Sequence, residues 1–162
     1  MAFERDAPKA ARPNFTLELH KTKGNIMGHY VIYLAFHGVL VLLVSLVSGR
    51  WFAKAIIIRG NDVAWRVVHS GGSMGGIMLI AFSSLLPIIV LPWWATTLFI
   101  WLIIAGTWLF IIAMLTAAIT GERGLKSGGS IINRGVYFSY VFGALFSLIG
   151  CGLLLTGLYY AL

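Results

Sequence analysis

His69 stands near the start of an apolar, glycine-rich run, Val68-His69-Ser70-Gly71-Gly72-Ser73-Met74-Gly75-Gly76-Ile77-Met78-Leu79-Ile80-Ala81. An ionisable side chain in a segment greasy enough to cross a bilayer is costly and by default marks a site. At about 100° per residue, Gly72, Ser73 and Gly76 fall at i+3, i+4 and i+7, on the helix face that carries His69. An imidazole over a strip with almost no side chains suits a flat ring whose metal the histidine holds. Arg66, at i−3 on the same face, is placed to meet carboxylates one turn nearer the helix end. The pattern predicts a seat for haem, with His69 as the metal ligand and Gly72, Ser73, Gly76 and Arg66 around the ring. The strip has a second use, because small residues also let helices approach closely. Gly71 and Gly75 lie about 120° or more away and suit that packing role.

The elements that must hold such a site are membrane helices. The chain is 59% hydrophobic and 10% charged, with mean hydropathy +0.91, where a soluble domain carries roughly 25% charged residues. Four spans can be drawn, 26–48, 63–91, 94–119 and 136–160, each near the ~20 residues that cross a bilayer. The expected fold is an all-α, integral membrane four-helix bundle over residues 25–162. It is preceded by a polar tail, 1–24, which contains Pro8 and Pro13 and lacks the apolar core of a signal peptide. Pro87 and Pro92 end the second span and force a tight turn before the interfacial pair Trp93 and Trp94. Gly121-Glu122-Arg123-Gly124 and Ser127-Gly128-Gly129-Ser130 form the loop after the third.

Charge and motif exclude much else. All twelve basic residues lie in the tail, the loops or the adjoining helix ends. That placement fits span orientation and contact with anionic lipid, and no basic domain is present to bind nucleic acid. The bilayer itself is the expected partner. Arg50, Lys54, Arg59, Arg66, Arg123, Lys126 and Arg134 gather on the side of the two longer loops, which places both loops in the cytoplasm and both termini outside. The lone cysteine, Cys151, rules out an intrachain disulfide. No intramembrane Asp or Glu is available for proton relay or ion coupling, and the CxxC, HExxH and phosphate-loop patterns are all missing.

Depth separates one axial ligand from two. His69 is roughly 5–10 Å below the loop-side surface at 1.5 Å per residue. His37 is near mid-membrane and His29 near the opposite surface. Two axial nitrogens on one iron require histidines at a common depth, so one axial ligand and an open face are expected. His37, Thr107 and Trp108 are candidates for shaping a pocket beside it.

The residues resemble the membrane-bound styrene oxide isomerases. The similarity runs without a gap from Trp65 through His69-Ser70-Gly71 to Met78, Ile80-Ala81 and Leu86-Pro87. Weaker echoes are His37-Gly38 and Arg123-Gly124-Leu125. The resemblance implies a small four-helix protein of a bacterial inner (cytoplasmic) membrane, trimeric, with His69 as axial ligand of haem b. It further implies ferric iron acting as Lewis acid in the rearrangement of a small apolar epoxide to an aldehyde. In that family an asparagine and a third-helix tyrosine orient the epoxide. The matching positions here are Gly75 and Met114, and the loop between the first two spans is short, so the haem site reads as kept and the orienting groups as replaced. Two other readings stay open, a b-type haem protein for electron transfer or ligand sensing, and a cofactor-free assembly subunit of a membrane complex.

Overall fold

The computed structural model describes residues 15–162, with side chains from Met27 onward. Four helices follow in order, α1 Phe15–Ile57, α2 Asp62–Leu85, α3 Trp93–Thr120 and α4 Ile131–Tyr159. Each contains a stretch long and apolar enough to cross a membrane. The fold is therefore all-α and multi-pass.

The helix ends follow local chemistry. Beyond Ile57 the chain turns through Arg59, which adopts φ +50°, and the Gly60 N–H closes back on the Ala55 carbonyl at 2.8 Å. This is the left-handed stop that satisfies free carbonyls at a helix end. α2 stops at Leu85, two residues before Pro87. α3 ends on Gly121 in the left-handed region, φ +78°. α4 is capped by Ser130, whose hydroxyl accepts from the Asn133 N–H, satisfying one of the donors a helix start leaves unpaired.

Four boundaries differ from the sequence reading: both ends of α1, the end of α2, which falls at Leu85 instead of 91, and the start of α4. Helix α1 already runs from Phe15, inside the stretch read as a tail, and it continues to Ile57, well past the expected end at Ser48. The extension carries Trp51, which stacks on Trp65 at 5.7 Å, and Phe52, which stacks on His69 at 6.4 Å. The expected loop is thus largely helix, held by aromatic contacts to α2. Residues 131–135, placed in the second long loop, are likewise the first turns of α4.

Two helical hairpins result. α1 packs on α2 through Gly38 and Gly76; a Cβ on Gly76 would lie 2.8 Å from the Gly38 carbonyl oxygen and 2.9 Å from the Leu42 nitrogen. α3 packs on α4 through Gly106 and Gly143, where added Cβ atoms would meet the opposing carbonyls at 3.1 and 3.2 Å. Both crossings exploit the close backbone approach that small residues permit in lipid. Helix α3 is the most enclosed, burying Phe99, Ile100, Ile103 and Ile111, and it joins the hairpins by packing on α2 and α1 as well as α4. Outside, Leu46, Met74, Ile77 and Leu148 are more than half exposed, an apolar exterior suited to lipid tails.

Candidate functional site

His69 lies half-buried on the outer edge of the α1–α2 seam, on the flank away from α3. Its Nδ1 is 2.9 Å from the Ser45 carbonyl oxygen. A carbonyl only accepts, so Nδ1 carries the proton and Nε2 keeps its lone pair. The ring is clasped between the Phe52 face and Gly49, whose backbone is so close that an added Cβ would lie 3.1 Å from Nδ1 and Cε1. Serines lock the backbone behind it. Ser45 Oγ donates to the His69 carbonyl, Ser73 Oγ donates to the same oxygen at 2.8 Å, and the two hydroxyls are 2.7 Å apart. The imidazole is thereby fixed in tautomer and orientation before any metal arrives, as partners of a metal-bound histidine's second nitrogen ordinarily do.

Arg66 stands one turn away, exposed at the same edge. It pairs with Asp62 at 3.2 Å and sits 5.7 Å above the Phe52 ring. An i,i+4 pair of this exposure contributes only ~0.3–0.5 kcal/mol, so the guanidinium can exchange Asp62 for another carboxylate at little cost.

The glycine strip is a correction. Its occupant is helix α1. A Cβ on Gly72 would lie 2.9 Å from Ser45 Cβ and 3.1 Å from Ile111 Cδ1, and one on Gly76 would lie 2.6 Å from Leu42 Cγ. The expected open seat over Gly72 and Gly76 is the intrachain seam, and Ser73 belongs to the serine lock. What remains accessible is the helix edge where His69 is half-buried and Arg66 exposed. Gly71 and Gly75 do serve packing, against Met114 and Thr107 of α3.

The pocket-shaping candidates do not converge on His69. Trp108 Nε1 donates to His37 Nδ1 at 3.1 Å, and Tyr33 packs edge-on to the same imidazole at 4.6 Å. His37 Nε2 therefore carries a proton that is buried and finds no acceptor among the described residues. Thr107 is buried in the α2–α3 seam, where its hydroxyl donates to the Ile103 carbonyl at 2.8 Å. His37 is 8–12 residues along α1 from Ser45 and Gly49, which face His69, a separation of ~12–18 Å at the helical rise. Depth divides the two histidines, as the span positions predict, and they cannot share an iron within one chain. His29 lies exposed near the other end of the span.

Sequence reasoning missed Ser45, Gly49 and Phe52. Their spacing, with Ser45 and Gly49 at i and i+4, is a helix-face signal, but the span was ended at Ser48. Among the described residues no three His, Cys, Asp or Glu side chains cluster. A porphyrin brings its own equatorial nitrogens and asks the protein for an axial side chain, which a fixed imidazole with a free Nε2 fits.

These features define a multi-pass helical membrane protein with a pre-oriented histidine at the edge of its first hairpin. Residues 32–159 match the family model described as styrene oxide isomerase, and the chain belongs to that family. Its function is accordingly of the styrene oxide isomerase kind. Among curated proteins no significant match was found.

Proposed function

We propose that this chain is a haem b-dependent membrane isomerase that rearranges a small apolar epoxide to an aldehyde. The observation that carries the reading is the Nδ1–H of His69 donating to the Ser45 carbonyl, which in the neutral ring presents Nε2 as a pre-aimed donor. Ferric haem held there would supply a Lewis acid able to polarise an epoxide oxygen.

The chain's own contributions follow from its residues. His69 would hold the metal through Nε2. Gly49, Phe52 and the Ser45–Ser73 pair keep the ring from turning, and Arg66 is placed to meet a carboxylate of the macrocycle by leaving Asp62. Among the described residues neither His29 nor His37 reaches the depth of His69, so His69 would be the chain's one ligand there and substrate would have access to the metal. Gly75 and Met114, where the family's orienting groups are expected, lie in the α2–α3 seam and face Thr107 and Gly71. Neither offers a hydrogen-bonding side chain in the manner of asparagine or tyrosine, so orientation of the epoxide rests on shape. The family's trimeric assembly is part of the proposal, and the exposed flank beside His69 is a surface a neighbouring copy can cover.

The test is conversion of styrene oxide by membranes containing the protein, with aldehyde formation as readout. Slow or altered turnover that disappears in His69→Ala supports the reading. Equal turnover by His69→Ala and wild type overturns it. A low-spin spectrum indifferent to added ligands, together with no aldehyde, favours the electron-carrier alternative.

A further inference from the structure

A cavity of about 200 Å³ opens at the loop end of the bundle between α2, α3 and α4. It lies across α2 from His69, since Val67 on its wall is two residues, about 160° in the shorter sense, from the histidine's face. Its wall is apolar where Val67 and Met114 contribute and polar where Asn61, Arg123 and Tyr140 meet. Those three polar residues come from three separate segments, the α1–α2 turn, the α3–α4 loop and α4.

The Arg123 backbone and the Tyr140 ring are held in place, and none of the three side-chain polar groups has a partner among the described residues. Arg123 is followed by Gly124, at φ +62°, whose N–H donates to Asn133 Oδ1 at 2.9 Å. The Gly124 backbone is pressed so tightly on α4 that an added Cβ would lie 2.8 Å from the Tyr137 nitrogen. The neighbouring carboxylate, Glu122, is occupied by the Ser130 hydroxyl at 2.9 Å. Arg123 consequently makes no ion pair among the described residues. Asn61 occupies the N-cap position of α2 without a side-chain capping bond. Tyr140 is braced by Phe110 at 6.2 Å, and its hydroxyl has no partner among the described residues.

A guanidinium without an ion pair, a phenol and an amide lining one cavity with aliphatic and thioether surface match a particular ligand chemistry. A planar carboxylate fits the guanidinium fork, and because Arg123 and Asn61 are exposed at the cavity mouth the attraction there is that of a partly screened surface cation. The volume equals that of about seven waters at ~30 Å³ each, which suits a single ring or short chain. We propose that this cavity binds a small carboxylate with an apolar body, the acid group on Arg123, Tyr140 and Asn61, the body against Met114 and Val67.

The experiment uses the purified full-length protein in neutral detergent, with benzoate as probe, benzamide as its uncharged counterpart, and saturation-transfer NMR as readout. Benzoate should bind about three- to fivefold more tightly than benzamide, the scale of an exposed ion pair. Arg123→Gln should lower benzoate to the benzamide level. Met114→Trp, which fills the cavity and leaves the cation, should abolish binding of both. Inorganic phosphate at equal concentration should not displace benzoate. Helical circular dichroism checks each variant; if Arg123→Gln fails to fold, the acid–amide comparison and Met114→Trp decide. Equal binding of acid and amide, retention in either variant, or displacement by phosphate overturns the proposal. Benzoate binding should survive His69→Ala, so this site and the proposed haem site stand or fall separately.

Discussion

Replacing Gly49 by alanine separates the orientation of His69 from the stability of the fold, because the two should move in opposite directions. The added methyl would lie 3.1 Å from both Nδ1 and Cε1 of His69. Ordinary carbon contacts begin near 3.4 Å, so the ring must yield by ~0.3 Å in an interior that is close-packed. Moving away from α1 stretches the Nδ1 bond to the Ser45 carbonyl from 2.9 Å to about 3.2 Å, the edge of the hydrogen-bonding range. Complete loss of such a partner costs roughly 10–100-fold in metal affinity, so a weakened bond should cost ~3–10-fold. Helix propensity acts the other way, since alanine in a helix interior is favoured over glycine by ~0.8–1 kcal/mol. The assay is paired, thermal unfolding of the purified variant in detergent and the rate at which its haem transfers to a scavenger apoprotein. Faster haem loss with an unchanged or higher Tm is expected. A raised Tm with haem retention and absorption spectrum unchanged would refute the claim that Gly49 and Ser45 hold the ring.

Three further outcomes follow from the packing. Gly76→Leu should push α1 from α2, because backbone atoms at 2.8–2.9 Å cannot give way; a loss of at least ~1–3 kcal/mol is expected, read as a lower Tm. Gly152→Leu, whose Cβ meets nothing within 4 Å, should leave Tm unchanged. Trp108→Phe removes the donor to His37 and should cost ~0.6–1.7 kcal/mol, the range for hydrogen bonds between membrane helices, without altering haem content. A change in the haem spectrum of that variant would contradict the separation of the two histidines. If haem is held by one protein imidazole as proposed, added cyanide or imidazole should shift the Soret band readily, and indifference would point to a second tight ligand.

What the sequence disclosed and what it hid divide along physical lines. Four spans were legible because hydropathy acts over some twenty residues and needs no partner. The end of α1 was not, because Gly49-Arg50 looks like a boundary until the His69 ring is seen to require the missing side chain. His69 stood out on its own cost in lipid. Its partner Ser45 did not, since that pairing depends on the register of α1 against α2. The glycine strip showed that something flat or close lies on α2 and could not show that the neighbour is α1 itself. His37 and Trp108 were picked by residue type, and only their hydrogen bond reveals that they form a separate mid-membrane pair. Met114 and Gly75 read as lost polar groups; the structure adds that both fill a helix seam.

The central claim, that His69 anchors a haem, is tested most directly by the absorption spectrum of the purified protein beside that of His69→Ala. The account predicts a Soret band in the wild type that is lost or displaced in the variant, while His29→Ala, an exposed histidine near the far surface, keeps it. A wild-type protein with no Soret band after expression with ample haem, or a His69→Ala variant with an identical band, would contradict it.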